Sequence, residues 1–294
     1  LRASAMAKGE PLWKHIRGGF GMPVPHSRAV VHPRLFMNVV NGGLHAGNDL
    51  DFQEYLIIPK AGTFRESVEI GTAVYRALGD ALARAKGRGA RNLGDEGGYA
   101  PNFKDDLEPF RILRAVTRKL KLSEKVDFGM DAAATDIKGL KPDELADVYV
   151  KLAREDGFIY LEDPFAENAF GAFALFTARF GGNGGTGGKP LWIAGDDLTT
   201  TNVRRMELAH AERSVNAVII KPNQIGSVTE ALDAVRAARK YGWAVVVSHR
   251  SGETNDDFIA DLAYGIGADG LKLGAPARGE RVAKYNRLLA IEKK

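Results

Sequence analysis

VDFGMDAAATDIKGLKPDELADVYVKLAREDGFIYLE (126–162) reads as strand, helix, strand. A short apolar run, Val126–Met130, gives way to a stretch of helical period, Lys141–Glu155, and then to a second run, Phe158–Leu161. Unbroken apolar runs that alternate with helices describe strands buried on both faces of a parallel sheet.

The same beat continues towards the C-terminus through Leu191–Ala194, Ala217–Ile220, Ala244–Val247 and Gly270–Leu273, with helical stretches such as Ser227–Tyr241 and Asp256–Ile266 between. Six βα units in succession are too many for a dinucleotide-binding half and favour a closed barrel. On the N-terminal side, Arg34–Val40 and Gln53–Ile58 read as two strands with no helix between them. The helical stretches Arg65–Lys86 and Leu107–Leu120 follow. The predicted fold class is α/β, a TIM-type (β/α)8 barrel that opens ββαα and continues with six βα units.

The length of 294 residues suits one such barrel. There are no cysteines, which removes disulfide scaffolds, zinc–thiolate clusters and thiol nucleophiles and agrees with a reducing compartment. The net charge of +4 comes from dispersed bases without an aromatic-interleaved run, so no nucleic-acid partner is expected and an anionic small molecule is. No apolar stretch reaches the roughly 20 residues of a membrane span. GGNGGTGGK (181–189) contains a literal G-x-G-x-x-G at Gly182, Gly184 and Gly187. A phosphate cradle needs a strand before it and a helix after it; here the order is reversed, and the segment reads as a surface loop.

Catalytic groups of such barrels sit at the C-terminal strand ends. Those ends carry Asp131, Glu162, Asp196, Lys221, then His249 with Arg250 and Ser251, and last Lys272. Singly, each has an ordinary reading as a helix cap or a solvated strand-end residue. As an ordered set they are harder to dismiss. Carboxylates on three consecutive strands repel one another unless a cation lies among them, and oxygen donors alone select a hard ion, Mg²⁺ or Mn²⁺. Lys221, next in order, would have its pKa lowered by that cation and become a base for a weakly acidic proton beside a carboxylate. The ene-diolate so formed would be held by the metal and Lys272. Expelling hydroxide further requires an acid, for which Glu54 and Glu96 are the candidates. Glu96 sits in Gly94-Asp95-Glu96-Gly97-Gly98, where glycines permit close approach to a ligand or simply make a turn.

NGGLHAGN (41–48), DFQEYLIIP (51–59), GDEGGYAPN (94–102), YLEDPFAEN (160–168), GDDLTTTN (195–202), IKPNQIGS (220–227), SHRSGET (248–254) and LKLGAPARGERVAKYNRLLAIE (271–292) resemble, in order, the motifs of the enolase family. The likeness runs from about residue 36 almost to the end. It implies the reversible dehydration of 2-phosphoglycerate to phosphoenolpyruvate, a step of glycolysis and gluconeogenesis, with two Mg²⁺ per active site. Asp131, Glu162 and Asp196 match the ligands of the tighter ion, and Lys221 matches the base for the C2 proton. Glu96, assisted by Glu54, matches the acid at the C3 hydroxyl. Arg250 and Ser251 match the phosphate contacts, and Lys272 the carboxylate contact. His45, His249 and Gln53 match further active-site residues. A cytoplasmic homodimer is implied as well.

The family's N-terminal capping domain, whose mobile loop helps bind the second Mg²⁺, is represented here by its last helix alone, Ala3–Ile16. The expected division is therefore 1–18 as that remnant and 19–294 as the barrel. The residues read as part of a longer enolase; the alternative is a shortened paralogue without turnover, in a binding or structural role. A non-phosphorylated acid-sugar dehydratase or ammonia lyase of the same superfamily is disfavoured by Arg250-Ser251, which such substrates would leave without a phosphate.

Overall fold

The computed structural model describes residues 1–19, 32–182 and 190–293. Eight strands close a barrel in chain order: β1 (Arg34–Asn41), β2 (Glu54–Pro59), β3 (Val126–Asp131), β4 (Phe158–Glu162), β5 (Trp192–Gly195), β6 (Ala217–Ile220), β7 (Ala244–Ser248) and β8 (Gly270–Lys272). β8 returns to lie parallel to β1, with Arg34 beside Gly270 and Phe36 beside Lys272. Closure leaves no unpaired sheet edge.

The helices are α1 (Arg2–Ala7), α2 (Leu12–Gly19), α3 (Phe64–Lys86), α4 (Glu108–Lys119), α5 (Pro142–Ala153), α6 (Phe170–Phe180), α7 (Val203–Ala211), α8 (Pro222–Ile225), α9 (Val228–Lys240), α10 (Phe258–Ile266) and α11 (Gly279–Glu292). With α3 and α4 directly after β2, the opening is ββαα, as the sequence predicts. Local signals set several boundaries. The Thr63 hydroxyl accepts from Glu66 N at 3.1 Å to start α3, and Ser227 does the same from Glu230 N at 3.2 Å for α9.

Two features add to or depart from the sequence reading. β2 runs antiparallel to both β1 and β3, so the sheet is not parallel throughout. Only a single 3₁₀ turn, Gly43–His45, lies between β1 and β2; without a crossover helix the chain comes straight back. The second difference is at the N-terminus, where Ala3–Ile16 forms two helices rather than one. The break holds Gly9 at φ +63° and Pro11, which has no N–H to continue a helix. α2 then docks on α10: Trp13 meets the Tyr264 ring edge-on at 5.0 Å, and Gly265 is so close that a Cβ there would lie 2.8 Å from the Trp13 carbonyl oxygen. Of the glycine-rich segment, residues 183–189 lie outside the described residues, and with them Gly184 and Gly187 of the G-x-G-x-x-G reading.

The core has two layers. The larger one packs helices against the outer face of the strands, with Phe64, Leu78, Phe173, Leu232 and Leu288 among its fully buried members. The smaller one fills the barrel itself with Phe36, Leu56, Ile58, Tyr160, Ile219 and Val246. Above this plug, at the end where β3 to β8 terminate, the interior becomes charged.

Candidate active site

The reversal of β2 places its first residue, not its last, at that end. Glu54 pairs in register with Asn41 at the end of β1 and with Asp131 at the end of β3, and Asp131 lies beside Glu162 at the end of β4. Three carboxylates from neighbouring strands thus share one wall. Lys272, from β8, reaches across to all of them: its Nζ is 3.0 Å from Glu54 Oε1, 2.9 Å from Asp131 Oδ2 and 2.9 Å from Glu162 Oε2. The Tyr160 hydroxyl donates to Glu162 Oε2 at 2.5 Å from one layer below. Asp196, one residue past β5, pairs instead with the Lys221 ammonium just past β6.

Glu96 arrives on the loop before α4. Asn38 Nδ2 donates to its Oε2 at 3.1 Å, while Oε1 lies 3.4 Å from His249 Nε2 and 3.7 Å from His45 Nδ1. A cavity of about 360 Å³ gathers these groups with Gln53, Arg250 and Ser251. Of the twelve residues singled out in the sequence, Glu162 alone does not line it; fully buried, Glu162 contacts Lys272, which does.

Burial and charge sort the titrations. Burial drives Glu54 well above the ordinary carboxylate range, with Glu96 adding to the shift, and drives Glu162 up as well, with Asp131 adding. Burial also works to raise Asp196 and Glu96, but is outweighed: Lys221 and Lys272 hold Asp196 low, and His249, His45 and Lys272 hold Glu96 low. For Lys221, burial favours the neutral amine, yet Asp196 prevails and the pKa is raised. A cation close by, as the sequence reading expects, would push the other way. The group beside Lys221 here is a carboxylate, and the sign follows the neighbour.

Oxygen donors are plentiful. Among the described residues, His45, Glu54 and Glu96 form one trio whose ligand atoms lie within 4.8 Å of one another, and Asp163, Asp196 and Asp197 form another. Asp131 and Glu162, expected with Asp196 as metal ligands, both contact Lys272, and Asp196 lies near enough to push the Glu162 pKa up as well. Asp196 Oδ1 and Glu54 Oε2 are buried with no hydrogen-bond partner, so acceptor capacity is left over at this end of the barrel.

The model of the enolase C-terminal TIM barrel domain family matches this chain over residues 29–141 and 135–294. The chain belongs to that family. The enolase barrel thus accounts for the ββαα opening and the charged strand ends together, and marks the chain as a member of an enolase-like lyase family. Among its described residues no helix is long and apolar enough to cross a membrane.

Several residues of this enolase barrel escaped the sequence reading. Asp163, at φ +39°, accepts from the backbone N–H groups of Asp196 and Asp197 at 3.1 and 2.6 Å and so orients the β5 end. Asp197 lines the cavity, its carboxyl pushed up to about 6 by burial and then by Asp196 and Asp131. Arg281 and Lys284 of α11, both fully buried, reach the loop after β7. The motifs YLEDPF, GDDL and ARGERVAKYN contain all four, but nothing in residue type alone separates them from surface charges.

Proposed function

We propose that this barrel catalyses the reversible, Mg²⁺-dependent dehydration of 2-phosphoglycerate to phosphoenolpyruvate. The observation that carries the reading is one cavity in which Glu54, Glu96, Asp131 and Asp196 meet Lys221, Arg250 and Lys272. A substrate with two anionic groups, a carboxylate and a phosphate, needs cations to hold it, a base to take its proton and an acid to release its hydroxyl, and each has a candidate there.

Arg250 and Ser251 hold the phosphate, where a guanidinium gives charge-assisted hydrogen bonds. Lys272 holds the carboxylate, and His45, His249 and Gln53 complete the enclosure. Lys221 Nζ takes the proton from C2. Glu96, helped by Glu54, gives a proton to the C3 hydroxyl as the C3–O bond breaks, so that water leaves and the C2–H electrons become the new double bond. Glu96 is held low in the resting site and must take up a proton before it can act; Glu54, kept protonated by burial and with its carboxyl within 4.8 Å of Glu96, is the source.

Asp131, Glu162 and Asp196 would hold the tighter Mg²⁺, and the spare Asp196 oxygen and all-oxygen donor set fit a hard cation. When bound, Mg²⁺ supplies positive charge against the negative charge that grows on the substrate carboxylate. Asp196 links the two functions, because a carboxylate engaged as a ligand no longer fixes Lys221 as an ammonium ion. A second Mg²⁺, a homodimer and a cytoplasmic setting extend the same proposal.

Phosphoenolpyruvate formation from 2-phosphoglycerate, followed by ultraviolet absorbance with and without Mg²⁺, tests it. Magnesium-dependent turnover is expected. Tight Mg²⁺ binding without turnover would favour a non-catalytic barrel, and turnover of non-phosphorylated acids alone would favour a different lyase.

A further inference from the structure

We propose that Arg281 is the positioning residue of this site: it fixes His249 as the neutral Nε2–H tautomer facing Glu96 and clamps the loop that presents Arg250 and Ser251. Its bearing on turnover rests on the function proposed above; its bearing on the imidazole does not.

Arg281 is the third residue of α11, has no exposed surface and is among the largest fully buried side chains of the protein. Its Nη1 lies 2.5 Å from His249 Nδ1 and donates to the Arg250 carbonyl at 2.6 Å. Its Nη2 donates to the Ser251 carbonyl at 2.6 Å and the Asp95 carbonyl at 3.1 Å. A guanidinium has donors and no acceptor. His249 Nδ1 must therefore be the bare nitrogen, and the ring proton must sit on Nε2, the atom that lies 3.4 Å from Glu96 Oε1. An imidazolium would set N–H against N–H and is excluded by the same contact.

The remaining acceptors are backbone carbonyls from two separate loops, one after β7 and one just before Glu96. One planar fork thus ties the loop of Arg250 and Ser251 to the loop of the candidate acid. The nearest carboxylate, Glu280, stands 3.7 Å from Nε, which has no hydrogen-bond partner. A fully buried guanidinium is costly to desolvate, so packing alone would be better served by an apolar side chain. Neighbouring groups tighten the arrangement. Lys284 Nζ, one turn along α11, donates to Glu253 Oε2 at 2.7 Å and the Thr254 carbonyl at 2.6 Å, and Glu253 Oε1 accepts from Arg250 N. At Gly274 a Cβ would lie 2.6 Å from the Glu96 carbonyl oxygen and 3.2 Å from Arg281 Cδ, so glycine is what lets this backbone pass against the Arg281 side chain.

Nitrogen-15 NMR of histidine-labelled protein at pH 7 tests the tautomer directly, with the His249 signals assigned by their loss in His249→Gln. The Nε2–H pattern is expected; an Nδ1–H or imidazolium pattern in the unmutated protein overturns the proposal, whether or not the protein turns over 2-phosphoglycerate. Arg281→Lys keeps the charge but cannot span four acceptors. In that variant His249 should lose its single tautomer, inorganic phosphate should bind about tenfold more weakly by calorimetry, and kcat/KM should fall about 10²-fold. An Arg281→Lys protein with the same tautomer and the same phosphate affinity would overturn the positioning role. Should that variant not fold, the spectrum of the unmutated protein decides alone.

Discussion

Leu56 and Glu54 on β2, Tyr160 and Glu162 on β4, and Ile219 with Lys221 at the end of β6 are pairs two residues apart, so each pair faces the same way into the barrel. The first members belong to the apolar plug and the second to the charged mouth. In the first two pairs burial is nearly equal: Leu56, Tyr160 and Glu162 have no exposed surface and Glu54 has 2%, whereas Lys221 is partly exposed above a buried Ile219. The energetics differ. Each plug residue is stabilised by whatever apolar surface it touches, so one substitution has a local cost. In the mouth, stability depends on specific opposite charges brought from strands far apart in sequence, and removing one group leaves the others unneutralised.

The sharpest test of the mouth is chemical. Lys221→Ala is expected to lower C2-proton exchange by about 10³-fold, within the usual range for a lost general base, while the substrate still binds through Arg250. Solvent-deuterium exchange followed by NMR measures this, and retained exchange would move the base to another group. Next comes Lys272→Met, which strands Glu54, Asp131 and Glu162 together. In protein treated with a chelator it should cost about 3–5 kcal/mol of stability, part of it recovered on adding Mg²⁺. An unchanged denaturation midpoint would mean that Lys272 does not neutralise this wall.

A reciprocal pair separates the two levels. Leu56→Ala should cost about 2–5 kcal/mol and leave Mg²⁺ affinity as it was. Asp196→Ala should abolish tight Mg²⁺ binding with the fold intact. If calorimetry and urea unfolding showed each variant affecting both properties, plug and mouth would be one cooperative unit. The smallest effect is a slope. Asp197 titrates near 6 when folded, above its unfolded value. The folded state thus holds this proton more tightly, giving a contribution that is full below about pH 4 and is lost as pH rises through 6. Asp197→Asn should match the parent near pH 4 and exceed it in unfolding midpoint above pH 6. Parallel profiles would assign the slope to another group.

The plug was legible in the sequence and the mouth only partly so. Runs such as Ala217–Ile220 announce themselves because a strand buried on both faces has no polar alternation to blur it. The residue that ends each run was legible for the same reason, which is how Asp131, Glu162, Asp196, Lys221 and Lys272 were found. Which charge faces which was not. Lys272 and Asp131 are 141 positions apart, and Arg281 and Asp95 are 186, separations over which only the closed barrel determines contact. The reversal of β2 left a trace, the missing helix before it, but the direction of a strand is not written in its hydrophobic pattern. Asp163 shows a further limit: its part depends on a positive φ, and an aspartate before a proline reads as an ordinary turn residue.

Closure of the barrel between its first and last strands has a bearing on how the protein is made. Glu54, Asp131 and Glu162 leave the ribosome long before Lys272, the ammonium that all three share. Until the final strand emerges, the nascent chain carries half of an ion cluster and an unclosed sheet with two free edges. The mouth therefore cannot assemble by stepwise growth from the N-terminus. It is complete only once β8 lies beside β1 and brings Lys272 to the three carboxylates.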